Sequence, residues 1–402
     1  MHNLAWPLLY PIFHFLATTA FVVSGWYSFI LAVGSICCFY FYQKYFFSAI
    51  SLRQFTWRKM LFSWFIGGLI KFSYLPLIDV ACIGVSRSQL CIGWFLCACG
   101  LLGYEVIFTL GVHALCKKLP SSRPRSLVFL MLLLVQQLML VNRFFLFLGQ
   151  NKGLATNNIF LPLCASLLSL FPNVNIASND QQVKFIFLPS LARISAALSH
   201  KPFDNMDHRK IFTSLVTSAS RWPASQAKVF LAPESFFAKS PPLREKKRWQ
   251  EALYPSDLII AGACQPKGCS ITAAAQIRSF QTAIVLSKAQ ICTIYKQVLC
   301  PLYEERFIAI PSEKLMKECA KVRVVSNYQV AICSEFFLAP GNMLLSGPKT
   351  LLLLVKENFF PTFFYKMLLA SAVLFSLWHQ QEIIWVDYNG LRIINFFAKV
   401  GT

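Results

Sequence analysis

Long apolar runs, following one another from Leu4 to about Phe171, constrain this chain more than any other feature. A helix that crosses a bilayer needs about 20 predominantly apolar residues, because the hydrocarbon offers no water to satisfy an open backbone. Five runs reach that length: Leu4–Val23, Trp26–Phe47, Met60–Val80, Leu90–Leu115 and Leu127–Phe147. A sixth, Leu154–Phe171, is shorter. The first run has no basic segment ahead of it and the second follows almost at once, so it reads as a retained helix and not a cleaved leader. From Pro172 onward charges, prolines and short strand-like runs alternate. The sequence therefore predicts an N-terminal polytopic α-helical membrane region of five or six helices over 1–172. It predicts an α/β domain over 173–402, long enough to bury a core of its own.

Lysine and arginine gather after the second run (Lys44, Arg53, Arg58, Lys59) and after the fourth (Lys117, Lys118, Arg123, Arg125). Links of this kind stay on the cytoplasmic side. With five spans, that rule puts the N-terminus inside and the α/β domain outside; a sixth span reverses the domain's side. The formal net charge of +21 raises the question of nucleic acid. No base-reading basic helix, finger spacing or RNA-binding aromatic signature accompanies the charge, so no nucleic-acid partner is expected. The basic cluster "REKKRW", Arg244–Trp249, reads as a solvated loop, with anionic lipid head groups as its sharper alternative.

Of the 14 cysteines, Cys37, Cys38, Cys82, Cys91, Cys97 and Cys99 lie inside apolar runs, where a thiol behaves as a small hydrophobe. No pair of C-x-x-C units and no H-E-x-x-H occurs, so no metal site is expected. "CQPKGC", Cys264–Cys269, leaves open a disulfide or two free thiols. Phosphate-cradling, dinucleotide and serine-elbow motifs are absent from the sequence.

Three short apolar runs of the second region each lead to a different reactive residue. "KVFLAPESFF" leads to Glu234, "AQICTIYKQVLCPLYEE" to Lys296 and "YQVAICSEFF" to Cys333. Runs of this length bounded by turn residues read as buried strands. A residue just past a strand's end is placed to project into a cleft. Singly, each has a plainer reading, as a turn glutamate, a solvated lysine and a core cysteine.

In this order, the three resemble the nitrilase, or carbon–nitrogen hydrolase, superfamily, whose catalytic set is Glu, Lys and Cys. The membrane branch is the more similar: apolipoprotein N-acyltransferases and the plasmid conjugal-transfer TraB proteins. Its K-x-x-L-x-P-x-x-E pattern is matched by Lys296, Leu299, Pro301 and Glu304, and its I-C-x-E by Ile332, Cys333 and Glu335. Its W-P-E stands here as Ala232, Pro233 and Glu234, the expected glycine is Tyr303, and the expected asparagine after "LIIAGA" is Gln281.

The resemblance implies a four-layer α-β-β-α sandwich, no cofactor, and a bacterial inner membrane location. Cys333 is then the nucleophile and Glu234 the general base. Lys296 is the oxyanion-facing cation, aided by the backbone N–H of Ser334. Glu304 and Glu335 hold Lys296 and tune Glu234. The implied activity moves an acyl chain from a membrane phospholipid, through a cysteine thioester, to an amine, such as a lipid-modified protein N-terminus. Two alternatives stay open: a TraB-type conjugal transfer component that uses the fold for binding or assembly with transfer-apparatus proteins, and a membrane-tethered amidase.

Overall fold

A computed structural model describes residues 6–51, 56–79, 86–118, 160–170, 183–188, 212–217, 225–237, 240–265, 280–296, 324–333, 335–336, 350–356, 360–379 and 381–394. The chain divides into two compact units. One comprises Met1–Val174 with Phe359–Phe375, the other Asn175–Asn358 with Ser376–Thr402.

The first unit is helical: α1 (Leu9–Val22, after a 3₁₀ turn at Trp6–Leu8), α2 (Gly25–Ser51), α3 (Trp57–Lys71), α4 (Arg87–Lys118) and α5 (Phe160–Leu170). Three segments are helices long and apolar enough to cross a membrane: Gly25–Phe46, Trp57–Leu77 and Arg87–Gly111. The first expected span is shorter than the sequence indicates. Its apolar helix covers Trp6–Val22, because Val23 turns extended and Gly25 takes a φ of 64° that a helix does not admit. The Leu127–Phe147 run lies outside the described residues, and of the sixth run the described part, Phe160–Leu170, is an 11-residue helix. Aromatic side chains of α1, α2 and α3, among them Tyr10, Phe13, Tyr42 and Trp64, form the core. Gly68 lets α3 meet α4 closely, since a Cβ there would sit 3.0 Å from the Ala98 Cα.

Among the described residues, the second unit holds two five-stranded sheets. The first runs β1 (Val183–Phe187), β2 (Ala227–Phe237), β3 (Leu258–Gln265), β4 (Phe280–Ser287) and β5 (Ile291–Tyr295) in chain order. Its first three strands are parallel and the last two antiparallel. The second sheet contains β6 (Val324–Val325), β7 (Tyr328–Ile332), β8 (Thr350–Leu354), β9 (Glu382–Asp387) and β10 (Gly390–Ile394), ordered β10-β9-β8-β7-β6. Here β7, β8 and β9 are parallel, flanked by antiparallel edges.

Side chains alternate along each strand. Val229 and Leu231 of β2 therefore face a shared core with Ile332, Leu354 and Val386 of the other sheet, while Phe230 and Ala232 face the opposite way. The first sheet's outer face is covered by Leu215 and by α6 (Leu243–Glu251), whose Trp249 is fully buried and stacks on Phe237. The "REKKRW" cluster is thus helical and not a loop. Its register buries one indole and leaves Arg244, Lys247 and Arg248 exposed, with Arg248 over the Phe212 ring. With both faces covered, the central strands read as unbroken apolar runs.

The last helix, α7 (Thr362–His379), follows β8. Its Ala370 packs in one cluster with Phe21, Leu161, Cys164 and Ala165, and the chain up to Phe375 groups with the helical unit. At its end the Ser376 hydroxyl donates to the carbonyls of Gln381 and Ile394.

Candidate active site

The site begins with an interruption in β2. Between the pairs Ala232–Ala261 and Phe237–Ala263, β2 carries four residues where β3 carries one. Those four are Pro233, Glu234, Ser235 and Phe236, and the one opposite is Gly262. Pro233 has no N–H to give the ladder, and Ser235 adopts a left-handed φ of 57°, so the strand bulges here. Gly262 makes room for it. A Cβ at that position would lie 2.2 Å from the Pro233 oxygen and 2.5 Å from the Glu234 Cα. Glu234 therefore sits inside β2, carried by the bulge, and not past the strand's end.

Two contacts fix the bulge, and a third ties Lys296 to the glutamine that makes one of them. The Ser235 hydroxyl donates to Gln281 Oε1 at 2.8 Å. The backbone N–H of Lys296, in turn, donates to the Gln281 carbonyl at 3.0 Å. From the second sheet, the Tyr388 hydroxyl donates to the Glu234 carbonyl at 3.1 Å. Lys296, one residue past β5, then meets Glu234 directly: its Nζ donates to Oε1 at 2.8 Å, and both residues are about 5% exposed or less. Breaking such a pair leaves a buried charge alone, whereas an apolar pair of similar volume would often be as stable.

Cys333 stands one residue past β7 with a left-handed φ of 43°. Its N–H donates to the Leu354 carbonyl at 2.8 Å, and its own carbonyl accepts the Phe336 N–H at 3.1 Å. A non-glycine residue in this region costs about 1–3 kcal/mol and marks a turn that the surroundings over-determine. Glu335, fully buried, accepts the Ile332 N–H through Oε2 at 2.9 Å and so braces the turn beside the thiol. Cys333 and Cys292, a second thiol of this unit, are both partly buried, and at Cys292 that burial pushes the thiol up from the ordinary value.

Register places these groups at one end of the two-sheet core. Ile332 pairs with Leu354, and Leu354 with Val386, so Cys333 is two strands from the β9–β10 turn that carries Tyr388. That is about 10 Å at ordinary strand spacing, and Tyr388 reaches the Glu234 backbone from there. Glu304, Ser334 and Cys269 lie outside the described residues, as does the side chain of Cys264. Among the described residues no group of three or more His, Cys, Asp or Glu side chains is placed to hold a metal ion.

Two residues of the site went unread in the sequence. Gly262 has a signal, since a lone glycine inside a strand indicates a bulge or a close backbone approach. Tyr388 has only the "DYNG" turn around it, which indicates a hairpin but not what the ring reaches. No protein-family model matches this chain, and comparison with curated proteins finds no match either.

Proposed function

We propose that this protein is a membrane-bound acyltransferase of the nitrilase type, its second unit completed as an α-β-β-α sandwich, that works through a thioester on Cys333. The observation that carries this reading is the buried Glu234–Lys296 ion pair at 2.8 Å, set at the end of the core where β7 delivers Cys333. Such a pair supplies a carboxylate able to accept a proton and a compact cation for a developing oxyanion.

The acyl donor is a membrane phospholipid. Glu234 takes the thiol proton as the sulfur attacks the ester carbonyl, forming the S–C bond and a tetrahedral oxyanion beside the Lys296 ammonium. The oxyanion collapses, the C–O bond of the ester breaks, and the leaving alkoxide receives the proton held by Glu234. An amine then attacks the thioester, Glu234 accepts its proton, and the thiol leaves reprotonated with an amide formed. The amine of a lipid-modified protein N-terminus is the proposed acceptor, because such a substrate resides in the same bilayer as the donor. The protein resides in a bacterial inner membrane, and the basic links after the second and fourth runs support a periplasmic position for the second unit.

Intact-mass analysis of purified protein incubated with a diacyl phospholipid tests the proposal. The expected result is one acyl mass on the Cys333 peptide and none on Cys333→Ala. An unmodified Cys333, or an adduct that survives Cys333→Ala, refutes it.

A further inference from the structure

We infer that Tyr388 is a positioning residue for Glu234, tying the nucleophile's sheet to the base's sheet through one hydrogen bond. The inference rests on the reading of Glu234 as the base. Two observations carry it. The bulge that holds Glu234 is the one break in the β2–β3 register, and a bulged peptide has lost the ladder partners that fix its neighbours. Its carbonyl is instead held at 3.1 Å by a hydroxyl from a residue 154 positions away.

The donor is itself held firmly. Tyr388 occupies the two-residue turn between β9 and β10, where Asp387 pairs with Gly390 and Gly390 adopts a φ of 137°. The buried Asp387 carboxylate accepts the Asn389 N–H at 2.7 Å and the Trp385 indole N–H at 2.7 Å. The first bond spans the turn, and the second fixes the carboxylate that makes it. From it, β9 runs beside β8, and β8 beside β7, whose next residue is Cys333. Tyr388 therefore references the carboxylate to the strands that carry the thiol. A proton transfer between them is steep in distance, so a small drift of the Glu234 peptide slows it.

The test reads thiol reactivity and does not need the acyl substrate. Full-length protein in detergent is alkylated with iodoacetamide across pH, and modification of Cys333 is followed by peptide mass. The arms are wild type, Glu234→Gln, Tyr388→Phe, the double variant, and Tyr328→Phe as a control that removes a phenol elsewhere. Expected is a slower Cys333 reaction in Glu234→Gln and a decrease of about three- to tenfold in Tyr388→Phe, the weight of one uncharged hydrogen bond. Tyr388→Phe should add nothing in the Glu234→Gln background, and Tyr328→Phe should match wild type. Installing 4-aminophenylalanine at 388, which restores a donor, should recover most of the rate.

Wild-type reactivity in Tyr388→Phe overturns the inference, and so does an equal loss with and without the Glu234 carboxylate, which is the mark of a structural role. A Tyr388→Phe chain that fails to reach the membrane while the 4-aminophenylalanine chain does so assigns the phenol to folding and also overturns it. If Glu234→Gln leaves Cys333 reactivity unchanged, the base assignment fails first and the inference with it.

Discussion

Adding one methyl group at Gly262 tests whether the bulge sets the chemistry. In Gly262→Ala the new Cβ would lie 2.2 Å from the Pro233 oxygen, 2.5 Å from the Glu234 Cα and 2.8 Å from the Ser235 nitrogen. All three are backbone atoms, so no side chain can rotate away. Ordinary contact begins at 3.4 Å, and the bulge must therefore retreat by about 1 Å. The Glu234–Lys296 distance of 2.8 Å would then pass beyond hydrogen-bonding range. A misplacement of about 1 Å costs on the order of 10² in rate, while overpacking costs about 1–3 kcal/mol of stability. The expected outcome is a chain that still inserts and unfolds cooperatively, with single-turnover acylation of Cys333 reduced about 10²-fold. The assay is quenched-flow mixing with diacyl phospholipid, read as acyl mass on the Cys333 peptide, beside a denaturant titration in detergent. Acylation near the wild-type rate would show that Glu234 need not be held by this peptide, and the argument from the bulge would fail.

Lys296→Met should reduce acylation by about 10²–10³ or more and cost about 3–5 kcal/mol of stability by leaving Glu234 buried without its partner. Adding Glu234→Gln should recover stability and no activity; a double variant no more stable than Lys296→Met would contradict this. At Cys333, Cys333→Gly and Cys333→Ala should both be inactive, with Gly the more stable by about 1 kcal/mol, because it relieves the φ of 43°; equal unfolding midpoints would argue against strain there. Because burial pushes the Cys292 thiol up, its thiolate fraction at pH 8 falls below that of an exposed thiol. Its alkylation should be slow at pH 8 and should keep accelerating above the ordinary thiol value of 9.0; a rate equal to that of free cysteine at pH 8 would refute the burial. In the helical unit, Glu105 accepts the Tyr10 hydroxyl at 2.8 Å inside the Arg87–Gly111 segment. Glu105→Ala should cost about 1–2 kcal/mol in detergent unfolding and Glu105→Gln less, and two indistinguishable variants would remove the bond from the account.

The helices and the strands were legible in the sequence for different reasons. The segments Gly25–Phe46, Trp57–Leu77 and Arg87–Gly111, which carry α2, α3 and α4, announce themselves by length alone, since few soluble folds need more than 20 apolar residues in a row. α1 is shorter than its run because hydropathy does not register a backbone turn, and Val23 and Gly25 end the helix by conformation. α6 was read as a loop because its four basic residues mask one buried indole in nine residues. The strands β2, β5 and β7 were legible from their β-branched and aromatic runs between turn residues. Their assembly into two sheets with parallel centres was not, because register is fixed by partners far along the chain.

The same division runs through the candidate site. Lys296 and Cys333 stand where a strand-end reading puts them, one residue past β5 and one past β7. Glu234 does not, because β2 resumes after the bulge, and the features that produce it are a proline, a left-handed serine and a glycine on the neighbouring strand. The proline and the glycine are visible as residue types, but their opposition depends on the register of two strands 29 residues apart, measured from Val229 to Leu258. Glu335 shows the converse. Its spacing from Cys333 is local, and so is its bond, to the N–H of Ile332 three residues back. A carboxylate fixed on the turn of Cys333 itself stiffens that turn, whereas the Glu234 carboxylate must be delivered from another sheet. The first arrangement can be written into four consecutive residues. The second needs Gly262, Gln281 and Tyr388 at once, and for that reason the pairing of Glu234 with Lys296 belongs to the fold and not to any motif.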